Sequence, residues 1–200
     1  MKLEEYKLVF VAVALIGVLL IASPVLGKVA RLPSGEKFSE LYLLGPGHMA
    51  EDYPFNVVAG QNYSVYVGVG NHMAASAYYV LYVKFRNQTE QLPNATSGAS
   101  SSLQLLYEYR FFIADGETWE SLLIFSISDA SSSANQSSIR RIMINNVEFD
   151  VDKQAEWDTG NNGFYYQLFM ELWKFNPQSG SVQFDNRFVG IYLNLTATTT

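Results

Sequence analysis

Four carboxylates crowd into nine residues of this 200-residue chain: Asp150, Asp152, Glu156 and Asp158. Hard oxygen ligands at such short spacing suit Ca²⁺, although the intervals are not those of an EF-hand loop. A pair of carboxylates facing across a cleft would instead serve glycoside hydrolysis. A solvated acidic loop explains the cluster without any ligand. These four residues, with Trp157 among them, are therefore candidate ligand or calcium contacts, and a metal is left open. Trp157, flanked by Glu156 and Asp158, is the tryptophan best placed for an exposed contact. Trp119 opens an apolar strand and belongs to the core, and Trp173 sits in an aromatic-rich stretch.

Other chemistries lack their parts. His48 and His72 are the only histidines, both in turn-like sequence and without a Gly-x-Ser-x-Gly elbow, so no catalytic triad is indicated. The absence of cysteine removes thiolate nucleophiles, disulfides and sulfur-ligated zinc. No cofactor is expected, and the chain reads as a binding protein rather than an enzyme. A net charge of −6, with basic pairs such as Arg140 and Arg141 isolated, argues against nucleic acid as a partner.

Five Asn-x-Ser/Thr sequons, at Asn62, Asn87, Asn94, Asn135 and Asn194, exceed the roughly two expected by chance placement, and are candidate glycosylation sites. They imply an extracellular domain, and the sequence supplies a route out. From Leu8 to Leu26 the chain is apolar almost without interruption. As a helix this run measures roughly 28 Å, close to the hydrocarbon thickness of a bilayer. It reads as a single-pass transmembrane anchor contacting the lipid bilayer. Small residues Val25 and Gly27 before Lys28 keep a cleaved signal peptide open, whereas Glu4 and Glu5 spoil the basic leader such a signal carries.

The elements that must position these groups follow from period-two alternation. Tyr63, Val65, Val67 and Val69 share one strand face, as do Ala77, Tyr79, Leu81, Val83 and Phe85. Leu103 to Ile113 and Trp119 to Ser128 repeat the pattern, and Asp115-Gly116-Glu117 between them signals a hairpin. Further strands are expected at Ile139 to Ile144, Val147 to Val151, Phe164 to Phe175 and Phe188 to Leu195, with turns at Asn145-Asn146 and Asn161-Asn162-Gly163. Asp150 to Asn162 is the least regular stretch. The expected fold is all-β: an antiparallel immunoglobulin-like β-sandwich preceded by one N-terminal transmembrane helix. Its domains are 1–27 anchor or signal, 28–37 linker, 38–195 β-sandwich ectodomain and 196–200 flexible tail.

Phe38-Ser39-Glu40-Leu41-Tyr42-Leu43-Leu44-Gly45-Pro46-Gly47, followed by Ala50-Glu51-Asp52-Tyr53-Pro54, resembles the opening of an archaeal membrane-protein family known as domain of unknown function 1616. Val67-Gly68-Val69-Gly70-Asn71-His72 and Asp115-Gly116-Glu117-Thr118-Trp119-Glu120 extend the resemblance, which covers roughly residues 38–128. It implies an extracytoplasmic β domain in an archaeal envelope, often behind several membrane helices, with no established activity. This chain has a single apolar segment. Physically, Gly45-Pro46-Gly47 forces a turn and Tyr53-Pro54 a second break, making a rigid kinked segment.

The function expected is a non-catalytic, membrane-anchored cell-envelope protein that displays a glycosylated interaction module to another envelope protein or glycan. The alternatives are a carbohydrate-active hydrolase using the Asp150–Asp158 carboxylates, and a secreted subunit assembling by strand addition at a sheet edge.

Overall fold

The computed structural model of the chain describes residues 6–7, 11–18 and 36–197. The chain divides into two units, Met1–Lys37 and Phe38–Thr200. In the first, residues 11–18 are helical. No helix among the described residues is long and apolar enough to cross a membrane. The expected anchor from Leu8 to Leu26 lies outside the described residues except for 11–18.

The second unit is built of ten strands in two five-stranded sheets. Sheet A takes the order β1 (Phe38–Leu44), β3 (Tyr63–His72), β6 (Thr118–Ser132), β7 (Gln136–Ile144), β8 (Val147–Glu156). Sheet B takes the order β2 (Asn56–Val58), β10 (Ser181–Ala197), β9 (Tyr165–Asn176), β4 (Ala77–Asn87), β5 (Tyr107–Ile113). All neighbours are antiparallel except the short parallel pair β2–β10.

Alternation decides which side chains enter the core. Val65, Val67 and Val69 of β3 and Leu123, Phe125 and Ile127 of β6 meet Tyr79, Leu81 and Val83 of β4 and Tyr166, Leu168, Met170 and Leu172 of β9 in one buried cluster. Burying an aliphatic side chain of this size stabilises the fold by about 1.5–3 kcal/mol. Trp119 joins this cluster from its margin, stacked on Phe111 with ring centroids 3.8 Å apart.

Three expectations require correction. Asp115-Gly116-Glu117 is a turn, with Gly116 at φ 79°, but not a hairpin. The strand before it, β5, pairs with β4, whereas β6 pairs with β3, so the turn carries the chain from one sheet to the other. Local turn chemistry is the same for both connections, and only the pairing partners distinguish them. Strand structure begins at Tyr107 rather than Leu103: Leu106, not Leu105, is buried, and its N–H reaches the Val83 carbonyl at 3.0 Å. The segment expected to be irregular from Asp150 is instead strand to Glu156, with Asp152 at φ 45° where the β7–β8 register shifts. A β-bulge absorbs the extra residue and breaks the alternation that the eye looks for.

Asn71 ties the corner where the chain changes sheets. Fully buried, it donates through Nδ2 to the carbonyls of Ala75 and Ile113, both at 2.9 Å. Its Oδ1 accepts from the Met73 N–H at 3.2 Å and the Tyr79 hydroxyl at 3.1 Å. Its main chain bonds to Glu117 and Gly116. One side chain thus holds both the β3–β4 and the β5–β6 passages. The expected kink at Gly45-Pro46-Gly47 forms too, and a Cβ on Gly45 would stand 1.8 Å from the Glu51 carbonyl oxygen.

Candidate functional site

The carboxylates singled out from the sequence are spread out, not gathered. Asp150, Asp152 and Glu156 are exposed along β8, the edge strand of sheet A. Asp158 lies in the following turn, where it accepts from the N–H groups of Gly160 at 2.8 Å and Asn161 at 3.1 Å, and from Asn161 Nδ2 at 2.8 Å. These donors, the Asn161 side chain foremost, hold its carboxyl below the usual range. Among the described residues, no group of three or more His, Asp or Glu side chains is placed to hold a metal ion. Trp157 is 40% exposed, packs edge-on against Phe164, and shares a cleft with Asn135, Gln136, Glu156 and Thr159.

The histidines are engaged elsewhere. His48 Nε2 contacts the Glu120 carboxylate, with its ring over Tyr66 at 4.3 Å. His72 lies 3.4 Å from Glu40, with its ring stacked on Phe38.

The sequons divide into two sets. Asn62, Asn94 and Asn135 are exposed. Asn87 Nδ2 instead donates to the Gln154 carbonyl at 2.8 Å, and Asn194 Nδ2 donates to Asn56 Oδ1 at 3.0 Å.

The arrangement with the strongest binding character lies where sequence reading placed nothing. At the end of sheet B nearest Asn71, a cleft of about 520 Å³ is lined by Met73, Tyr78, Phe112, Lys174, Phe184 and Asp185, among others. Clefts of this size and apolar character are where proteins seat ligands or partner side chains. Strand β5 brings Phe112 to its lip, 77% exposed and 4.7 Å from the Tyr78 ring on the neighbouring strand. From β9, Lys174 Nζ reaches Asp185 Oδ1 at 2.6 Å. Asp185 occupies the β10 register shift beside Asn186, which has φ 56°. The second Asp185 oxygen, Oδ2, is buried without a hydrogen bond and lies 3.8 Å from Arg187 Nη1. The available signal was the polar pair Asp185-Asn186 interrupting an otherwise alternating strand.

The outer face of sheet B carries a second polar feature. Lys84 and Glu171 form an ion pair at 3.0 Å with side chains 6% and 0% exposed. Lys84 Nζ donates to the Ser101 carbonyl at 2.6 Å, and the Ser101 N–H donates to Glu171 Oε1 at 2.7 Å. Trp173 Nε1 completes the shell at 3.1 Å from Glu171 Oε2. The Ser-rich stretch around Ser101 is therefore pinned over the sheet by a buried charge pair.

The model of the family described as Domain of unknown function (DUF1616) matches residues 32–139, more than half of the chain. The chain belongs to the DUF1616 family. The match contains the Asn71 corner, Lys84 and β5, and stops before β8 to β10. No curated protein matches the chain. Among solved structures, it is similar to a β-glucosidase from Listeria innocua at 10% identity and TM-score 0.42, over 82% of this chain and 16% of that one. It is also similar to the CARDB domain of a Pyrococcus furiosus protein in complex with di-metal ions, at 8% identity and TM-score 0.40, over 84% and 97%. A complex of zinc 2-glycoprotein and prolactin inducible protein from human seminal plasma matches at 8% identity and TM-score 0.39, over 82% and 100%. At these scores the likenesses assign this DUF1616 protein neither a fold family nor an activity.

Proposed function

We propose that this DUF1616 protein is a non-catalytic module of an archaeal cell envelope, anchored in the membrane through Leu8 to Leu26. It displays an extracellular domain of immunoglobulin-like type that docks another envelope protein. The observation that carries the reading is the aromatic cleft at the Asn71 end. Phe112 is a large apolar side chain held 77% exposed at the lip of a cleft floored by the Lys174–Asp185 pair. Exposed aromatics beside a preformed recess are the recurring anchors of protein interfaces. A partner's apolar side chain fits between Phe112, Tyr78 and Phe184.

The carboxylates Asp150, Asp152 and Glu156 follow one another along one exposed strand face, without the two opposed walls that glycoside hydrolysis uses. We therefore take the binding reading over the hydrolytic one.

Chemical cross-linking of native membranes, followed by capture of the full chain, tests this function. A single envelope protein is expected to cross-link to the wild type, with at least tenfold less recovered for Phe112→Ala. Equal recovery from both forms would refute the cleft. Failure of protease to cut the domain in intact cells would refute the location.

A further inference from the structure

Arg86 is a buried cation that forms no ion pair among the described residues, although the Asp158 carboxylate lines the same cleft. It stands at the opposite end of β4 from the aromatic cleft, about 30 Å away at the rise of a strand. It is 9% exposed, and its guanidinium donates only to main-chain carbonyls, those of Glu90 and, at 3.5 Å, Gln88. The nearby acid in sequence, Glu90, is committed to Lys153 Nζ at 2.5 Å and to the Asn87 N–H at 3.0 Å. Arg86 Nε is buried without a hydrogen bond. Directly across the β4–β9 ladder, Gln167 Oε1 is in the same state. Buried charges are held by partners of opposite sign because desolvation is otherwise uncompensated. Among the described residues, none supplies that partner.

The same arginine lines a cleft of about 430 Å³ whose other walls are Phe55, Gln88, Asp158, Asn161, Tyr165 and Tyr192. We propose that this cleft binds an acidic sugar, with its carboxylate or sulfate on Arg86 and its ring against Tyr192 and Phe55. Three features select that ligand class. A guanidinium offers a planar fork of donors matched to an anionic group with paired oxygens. Tyr192 and Phe55, 53% and 46% exposed, present apolar faces on which the C–H face of a pyranose packs. Asp158, held in place by Gly160 and Asn161, supplies an acceptor for ring hydroxyls. The ligand thus bears one acid group and several hydroxyl donors. The site is independent of the docking cleft at the other end of β4.

The test is calorimetric titration of the full chain with three oligosaccharides that differ at one sugar: glucuronate, glucose 6-sulfate, or glucose. One of the acidic forms is expected to bind at least tenfold tighter than the neutral one, and the tighter of the two identifies the anionic group. Arg86→Gln should erase the preference while binding of the neutral sugar persists, which shows that the cleft is still formed. Tyr192→Ala, at an exposed position, should weaken every sugar. Equal affinity for acidic and neutral sugars, unchanged acid binding in Arg86→Gln, binding of no sugar, or binding of an acidic peptide in their place would each overturn the proposal.

Discussion

Replacing Glu171 by Gln keeps the shape of the side chain and removes its charge, leaving Lys84 buried with the Ser101 carbonyl as its remaining partner. At 3.0 Å and an effective dielectric constant of about 20, the gross attraction lost is about 5–6 kcal/mol. Part of that is returned because one buried charge no longer needs desolvating. Breaking a buried pair by removing one member costs about 3–5 kcal/mol. The loss is a large share of the roughly 5–15 kcal/mol that holds a domain together. Urea denaturation of Glu171→Gln should therefore show a midpoint shifted far downward with unchanged slope. The double variant Lys84→Met/Glu171→Leu should recover to within about 1 kcal/mol of wild type or exceed it, as apolar replacements of buried pairs do. The double variant should lose hydrogen-exchange protection at the Ser101 amide, because residue 171 then carries no acceptor, whereas Glu171→Gln keeps a side-chain oxygen for it. A cost below about 1 kcal/mol in Glu171→Gln, or a Ser101 amide still protected in the double variant, would refute the reasoning.

Other consequences are equally open to measurement. Asn71→Leu removes this side chain from two carbonyls and one N–H, leaves the Tyr79 hydroxyl only its 2.9 Å bond to Ser39, and should cost about 3–5 kcal/mol in denaturant titration. Burial pushes the Tyr166 hydroxyl up to about 12. The unfolded state ionises first as pH rises past about 10, so stability is intact below that pH and is lost between about 10 and 12. Melting temperature against pH should show this fall, and Tyr166→Phe should flatten it while losing the 2.7 Å bond to Ser137. If the domain is exported and modified, mass spectrometry should find sugars on Asn62, Asn94 and Asn135 ahead of Asn87 and Asn194, whose amide nitrogens are already engaged.

Much of the framework was legible because it rests on alternation. The inward sets of β3, β4 and β6 could be read directly, and Asn145-Asn146 turned as expected, with φ of 48° and 66°. Reading failed where a long-range partner decides the outcome. Whether β5 and β6 pair with each other depends on β3 and β4, which a turn motif does not encode. The bulges at Asp152 and at Asp185-Asn186 break period two, so β8 was cut short and β10 begun late. That second break hid the aromatic cleft, since Asp185 and Lys174 meet only once the strands are in register. The buried status of Lys84, Arg86 and Glu171 was equally invisible. Charged residues on the face opposite the core read as solvated until the Ser101 stretch is seen to cover them.

The knot at Asn71 has a bearing on how the adjacent recess works. Met73 and Ala75, which line it, sit on a connection whose carbonyl and amide groups are already claimed by one immobile amide, and Ala74 is held at φ 60° by a bond from its N–H to Asp115. The walls of the recess are therefore tied down by hydrogen bonds of the fold itself. A partner docking there as proposed would meet walls already ordered, with little ordering entropy to surrender.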